Sequence, residues 1–330
     1  MTRPDVLIIG AGIIGLTLGY ELLKRGQTVR LLDQSTAGQG ATRAAAGMLA
    51  TDEELPESLH ELAALSRTLY PTLVRKLSDE TGLGSGYLEQ PFCLQRGNQS
   101  LTLEQVGQID SRLMTQALRR AIERRGGVIE EDTSVSQLVR DEQRIIGAET
   151  NRGLRTGRQI IVASGRGSEA VLRTLGITID TSPVKGECLS VRLMTGRLDR
   201  TLFNEQVYLV PKADGRIIIG ATERPGDEST TVRLDSIRLL VNQAIRLYPP
   251  LAEAVFVEAW AGVRPQTGDG LPYLGPVDGI DGLFVATGHH RHGILLAPAT
   301  ATVLADCIMG KKPKAMLGAF SHQRQGENTK

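Results

Sequence analysis

The sequence predicts a chain of two parts, an α/β part assembled from separated stretches and an α+β part built on an antiparallel sheet. Three observations carry that prediction. Apolar strands ending in glycine recur near the start, the middle and the end of the chain, at residues 5–10, 159–165 and 282–288. The first is followed at once by a helical pattern and a second strand, the β-α-β arrangement of a parallel sheet. Between these strands the texture changes to alternating segments joined by a tight-turn dipeptide, which signals hairpins.

Taken in order, Val6-Leu7-Ile8-Ile9 is a short, fully apolar run of the kind buried on both faces. Ile14, Leu18 and Leu22 then recur at helical spacing until Gly26 ends the helix. Residues 27–33 read as the second strand, closing in Asp33. Asp110 and Ser111 can cap a helix whose apolar stripe is Leu113, Met114, Ala117, Leu118, Ala121 and Ile122, ended by Gly126 and Gly127. Its basic run, Arg119 to Arg125, reads as the wet face of that helix. Residues 186–191 form a further strand candidate, and residues 207–210 and 216–219 flank Lys212-Ala213-Asp214-Gly215 as a hairpin. A helix-like run follows from Ile294 to Met309, and about the last ten residues read as frayed. If the three glycine-ended strands share one sheet, the first part is discontinuous. Residues 1–50, 108–170 and 260–330 then form it, and residues 51–107 and 171–259 form the second.

Bulk properties narrow the function. The 330 residues are enough for two cores, and 41% hydrophobic with 23% charged residues is ordinary for a globular chain. A net charge of +1 gives no reason to expect nucleic acid or an anionic membrane as partner. Cys93, Cys188 and Cys307 are few, odd in number and far apart, which argues against a disulfide framework and suits a reducing, cytoplasmic setting. No apolar run is long enough to span a bilayer.

Gly10, Gly12 and Gly15 form G-x-G-x-x-G between strand and helix, with acidic Asp33 at the end of the next strand. That context makes the first part Rossmann-like. The first glycine permits the tight turn, the second lets backbone approach a pyrophosphate, and the third allows close helix–strand packing. Asp33 can accept hydrogen bonds from a ribose diol and would repel a 2′-phosphate. The glycines do not separate FAD from NAD. The small-residue stretch GATRAAAGMLA (40–50) reads as a loop that suits an extended cofactor lying against backbone, the alternative being a tightly packed turn.

Arg264 sits among small and apolar residues and needs an anionic partner, either a ligand carboxylate or an internal Asp or Glu. Tyr208 lies on the strand face of Val210, and spacing alone favours a plain core aromatic. Three of the five histidines crowd into TGHHRHGILLAPAT (287–300). Gly288 and Gly293 bracket them and argue for a loop, so a metal site is not expected.

These blocks resemble the glycine oxidase family: GAGIIG with Asp33, TRAAAGML, SPVKGECLSV (182–191), YLVPKADGRIIIGAT (208–222), WAGVRPQTGDGLPYLGP (260–276) and GHHRHGILLAPAT (288–300). The family comprises the FAD-dependent amine oxidases of bacterial thiamine biosynthesis, within the D-amino acid oxidase and sarcosine oxidase group. The resemblance covers most of the chain. It departs from the family pattern between about Gly97 and Asp110, where a segment usually present is missing.

The resemblance implies a Rossmann-like FAD-binding domain and an antiparallel substrate domain. Ile13, Ile14, Asp33, Gln34, Ala41, Thr42, Ala46, Gly47 and Met48 match positions contacting the ADP and ribityl parts of FAD, and Val135 matches one at the adenine end. His289, His290, Arg291, His292, Gly293, Ile294 and Leu295 match the loop and helix start beneath the flavin pyrimidine. Gly10, Gly165 and Gly288, which end the three strands, join the expected cofactor site with Gly12 and Gly15. Tyr208 and Arg264 match the pair that binds the substrate carboxylate, and Arg291 a second substrate contact. The implied reaction is oxidation of glycine, or of sarcosine or a small D-amino acid, with O2 as acceptor. No catalytic side-chain base is required, and FAD is held non-covalently. The imine would pass to a thiazole synthase or hydrolyse to glyoxylate and ammonia. An assembly of like subunits is expected. Two other readings stand: a dehydrogenase subunit serving a quinone or partner protein, and a flavin-binding sensor without activity.

Overall fold

A computed structural model of the chain describes residues 3–50, 55–97, 99–311 and 315–324. The three glycine-ended strands do share one sheet. Strand β1 (Val6–Ile9) lies between β2 (Val29–Leu32) and β9 (Gln159–Val162), parallel to both. β5 (Val128–Glu130) extends the sheet beyond β2, and β17 (Leu283–Thr287) beyond β9. β16 (Tyr273–Pro276) closes that edge antiparallel. The apolar runs follow from this central position, because each such strand is covered on both faces.

Strand alternation divides the two covers. Val6 and Ile8 pack with four helices: α1 (Ile13–Lys24), α3 (His60–Thr81), α4 (Ser111–Arg124) and α7 (Gly293–Ile308). Leu7 and Ile9 face the opposite way, toward α5 (Ser168–Arg173) and a three-stranded sheet of β6 (Val135–Asp141), β7 (Arg144–Thr150) and β8 (Arg155–Thr156). α4 begins as expected, with the Asp110 carboxylate accepting from the amides of Arg112 and Leu113. Its stripe is narrower than expected, since Leu113 is 40% exposed. The basic run of this helix is wet but paired, Arg119 with Glu131 and Arg125 with Glu80.

The second sheet runs β14 (Arg224–Pro225), β10 (Thr181–Arg192), β13 (Arg216–Gly220), β12 (Tyr208–Pro211), β11 (Thr201–Phe203), β3 (Leu88–Arg96) and β4 (Gln99–Gln108), with β15 (Val255–Thr267) also paired to β10. The predicted hairpin is β12–β13, with Gly215 at φ +83° in its turn. The sheet is not wholly antiparallel, because β11 and β3 pair parallel. α6 (Leu234–Leu247) covers it through Leu240 and Ala244.

The expected division of the chain needs correcting at two places. Residues 51–107 do not travel together: α3 buries Leu62, Ala63, Tyr70 and Leu77 in the first core, and Tyr70 Oη donates to the carbonyl of Ile294 on α7. Among the described residues of that stretch, only β3 and β4 join the second sheet. At the other end, residues 260–267 continue β15 within the second sheet. The helical periodicity of α3 gives no sign of which core it serves, which is why residue order misassigned it. Of the ten terminal residues expected to fray, 325–330 lie outside the described residues. Arg324, by contrast, is fixed against Asp269 at 2.5 Å and over the Tyr273 ring.

Two contacts tie the hairpin to the segments flanking α4 and the small-residue stretch. Lys212, in the hairpin, donates from Nζ to the carbonyls of Ala46 and Ile109 and to Gln108 Oε1. Burial, the largest influence on it, brings this ammonium down to about 7. Arg216 pairs with Asp110 at 2.7 Å, joining the same hairpin to the cap of α4.

Candidate active site

A cavity of about 1370 Å3 runs between the two sheets, from the turn after β1 to α6. Its first end is built by glycine. Gly10 has φ +108°, and a Cβ there would stand 2.4 Å from the carbonyl oxygen of Ala163. Gly15 is not part of the cavity wall, although it was expected among the cofactor residues. A Cβ at that position would stand 2.0 Å from the Gly10 oxygen, so this glycine acts through packing. Asp33 does more than face a ligand: one carboxylate oxygen accepts from the Ala11 amide at 2.8 Å and the other from the Ser35 amide at 2.9 Å. The Thr42 hydroxyl accepts from the Ile13 amide at 2.9 Å, pinning the small-residue stretch to the start of α1. That stretch contains one helical turn, Ala41–Ala44, which its sequence did not predict.

All other expected cofactor residues line this one cavity: Gly10, Gly12, Ile13, Ile14, Asp33, Gln34, Ala41, Thr42, Ala46, Gly47, Met48, Val135, Gly165, and Gly288 through Leu295. The wall suits an elongated dinucleotide. Gly12 has open space where a side chain would stand, apart from Thr42 Oγ1 at 3.3 Å. The first turns of α1 and α7 contain no acidic residue, so neither helix neutralises its own positive end where it meets the cavity.

The histidines form a single 3₁₀ turn, His290–His292, before α7. His289 is buried, its Nε2 lies 3.2 Å from Thr300 Oγ1, and burial lowers its pKa to about 3. His290 is held at φ +45°, and burial followed by the charges of Arg264 and Arg291 brings it also to about 3. Among the described residues no group of three His, Cys, Asp or Glu side chains is placed to hold a metal ion.

Tyr208 and Arg264 meet at the other end of the cavity, and glycines make the room they occupy. A Cβ on Gly186 would lie 2.4 Å from Arg264 Nη2 and 2.7 Å from its Cζ, so the guanidinium rests on bare backbone. A Cβ on Gly220 would lie 2.5 Å from the Tyr208 hydroxyl. Cys188 Sγ stands 3.5 Å from that hydroxyl, and burial holds the tyrosine pKa well above its ordinary value. Nη1 of Arg264 is buried and has no hydrogen-bond partner among the described residues. Glu223 Oε1 lies 4.0 Å from it and 3.9 Å from Nη2 of Arg291. Sequence reasoning missed Gly186, Gly220 and Glu223. The two glycines stand in recognised blocks, but only tertiary contact reveals what they make room for, and no sequence signal marks Glu223.

Outward from Tyr208 the second sheet presents an apolar wall. Tyr208 pairs with Phe203, Phe203 with Leu94, and Leu94 with Leu101 across four strands. Rings of Tyr208 and Phe203 stack at 6.2 Å, and Phe92 stands 5.8 Å from Phe203. Leu101 is 52% exposed at the outer end.

A largely parallel sheet with a glycine-rich turn, joined through one long cavity to a second sheet that holds a half-buried arginine, is the arrangement of a two-domain dinucleotide-dependent oxidoreductase. Comparison with known proteins supplies the particular family. The model of the FAD dependent oxidoreductase family matches residues 5–95 and 88–307. Glycine oxidase of Geobacillus kaustophilus is 33% identical over 98% of this chain and 97% of its own length. The bifunctional protein ThiO/ThiG of Synechocystis is 35% identical over 98% of this chain, which spans about half (54%) of that relative. A crystal structure of the Geobacillus glycine oxidase superposes with a TM-score of 0.94 at 32% identity, covering 98% of this chain and 100% of that one. The chain belongs to the FAD dependent oxidoreductase family and, within it, to the glycine oxidases. The alignment with the Geobacillus relative spans 367 positions against 330 residues here, so at least 37 positions of that alignment have no residue in this chain. In the region where a missing segment was expected, β3 and β4 pair antiparallel, Arg96 with Gln99.

Proposed function

We propose that the protein oxidises glycine with FAD as cofactor and O2 as final acceptor, yielding the imine and hydrogen peroxide. The observation that carries this reading is the buried, unsatisfied Nη1 of Arg264 beside Tyr208, in the same cavity as the glycine turn. A guanidinium donor left open in a cavity suits a carboxylate ligand, and a tyrosine hydroxyl kept protonated by burial can donate to the same group. Arg264 and Tyr208 fix the carboxylate, and with it the direction of the Cα–H bond. Orientation of this kind is worth several kcal/mol, about 7 at the lower end, in well-placed reactions. Bound FAD supplies the two-electron acceptor.

The protein's own part is to bind, to orient and to exclude water. Residues 10–14, 33–34, 41–48 and 135 are assigned to the ADP and ribityl parts of the cofactor, and residues 288–295 to the flavin. The start of α7 favours negative charge on whatever lies against it. Because bound FAD would take the hydride from a neutral amine, no side chain would be needed as a base. The fused relatives support a second assignment: the imine passes to a thiazole synthase, since ThiO and ThiG occur there in one chain.

The test is anaerobic addition of glycine, sarcosine and D-alanine to the yellow protein, followed at about 450 nm, the absorbance of the cofactor itself. Bleaching by glycine is expected, and bleaching by none of the three removes the oxidase reading. Arg264→Ala should raise the glycine KM strongly and leave the flavin bound.

A further inference from the structure

Arg264 answers one half of an amino acid, the carboxylate. The other half is an amine, a hydrogen-bond donor that becomes a cation when protonated. Among the described residues lining the cavity, Asp33, Glu205 and Glu223 carry carboxylates. Both oxygens of Asp33 already accept from backbone amides at the dinucleotide end. Glu205 stands exposed between β11 and β12. Glu223, just past the end of β13, is the carboxylate paired with Arg264, its Oε1 4.0 Å from Nη1.

Three features fit Glu223 to that amine. Its oxygens are open: the separations from Arg264 and, at 3.9 Å, from Arg291 both exceed hydrogen-bond length, and no described residue donates to this carboxylate. Its distance suits an amino acid. A carboxylate oxygen seated on Nη1 would lie about 2.8 Å from it, and the amine nitrogen of an α-amino acid stands about 2.5 Å from the carboxylate carbon. The amine therefore comes within reach of Oε1 while the carboxylate stays on Arg264. Its place is also fixed. Thr222, just before it, donates to Oε2 of the fully buried Glu187 at 3.1 Å, and Arg224, just after it, donates to the same oxygen at 3.4 Å. Ser236 of α6 and the amide of Arg233 donate to Glu187 as well, so the backbone carrying Glu223 is tethered to a buried anchor.

We infer that Glu223 is a substrate-binding residue that accepts a hydrogen bond from the substrate's amine, so that the site recognises an amino acid by both its ends. The inference rests on Arg264 as the carboxylate anchor and deepens the proposed function. It does not depend on how Arg291 is paired. No proton transfer is involved, because a carboxylate accepts from an amine N–H whether the amine is neutral or protonated.

The test uses the FAD-bound protein, with glycine as substrate and acetate as competitive inhibitor, since acetate has the carboxylate and lacks the amine. Glu223→Gln keeps the shape of the side chain at a half-exposed position, so the fold is retained. It replaces a charged acceptor by a neutral one, and hydrogen bonds to charged groups are about twice as strong. The glycine KM should therefore rise about tenfold. The acetate Ki should stay within about twofold of wild type or fall, because a negative neighbour is removed. A glycine KM unchanged within about twofold overturns the inference. So does an acetate Ki that rises as much as the glycine KM, since the residue would then act only through Arg264. Failure of the oxidase reading is a separate result: glycine would perturb the visible flavin spectrum without bleaching it, and the glycine and acetate Kd values read from that perturbation give the same comparison. Absence of any effect of either acid on the wild type overturns the inference together with its anchor.

Discussion

Gly186→Ala should disable carboxylate binding while leaving the protein folded and yellow. The new methyl carbon would lie 2.4 Å from Nη2 of Arg264, 2.7 Å from Cζ and 2.8 Å from Nη1. Ordinary contact begins near 3.4 Å, so the guanidinium has to move by about 1 Å, a displacement that can cost about 100-fold in a positioned site. A hydrogen bond to a charged group is worth about 1.5–3 kcal/mol, so losing one predicts a rise in glycine KM of about 10- to 150-fold. kcat should fall as well, because the same contact sets the direction of the reacting bond. Stability should change little. The obstructed atoms are the far end of a flexible side chain, and no positive φ ties this position to glycine. Steady-state peroxide formation against glycine concentration measures the kinetic effect, with the melting temperature and flavin content of the same preparation as controls. A soluble, flavin-bound Gly186→Ala protein with wild-type KM would refute both the steric argument and the role of Arg264.

Three further perturbations address other contacts. Gly15→Ala places a methyl 2.0 Å from a backbone oxygen that cannot yield, so the turn should open and FAD binding weaken at least about tenfold, read from flavin absorbance per protein. Lys212→Met removes the donor for the carbonyls of Ala46 and Ile109 and for Gln108. Leaving those buried groups unpaired should cost about 2–4 kcal/mol, measured by denaturant unfolding. His289 is held neutral, with a folded pKa near 3 against an ordinary value of 6.5. The unfolded chain therefore binds more protons between these values, and stability present above pH 6.5 is lost as pH falls toward 3. The loss should be about 2 kcal/mol by pH 5, and His289→Gln should flatten it in thermal melts.

How much of this was legible in sequence depended on whether the signal was local. β1, α1 and the glycines between them obey rules that act over a few residues, so the strand–turn–helix and the placement of Asp33 were read correctly. The Asp110 cap and the β12–β13 hairpin are local in the same sense. The family blocks brought Tyr208, Arg264 and Arg291 to notice, and the fold brings all three to one cavity.

Tertiary structure decided what depends on approach between distant segments. α3 carries an ordinary amphipathic stripe, and only its packing on α7 shows that it belongs to the first core. Gly186 matters for atoms 78 residues away, a relation that has neither a period nor a composition. Glu223 joins the Arg264 end of the cavity because chain folding carries it to within 4.0 Å of two arginines. Sequence by itself determined the elements and the chemistry available to them, since both follow from neighbouring residues. Which side chains share a charge environment was decided by the fold, because Coulomb interactions depend on distance in space and not along the chain.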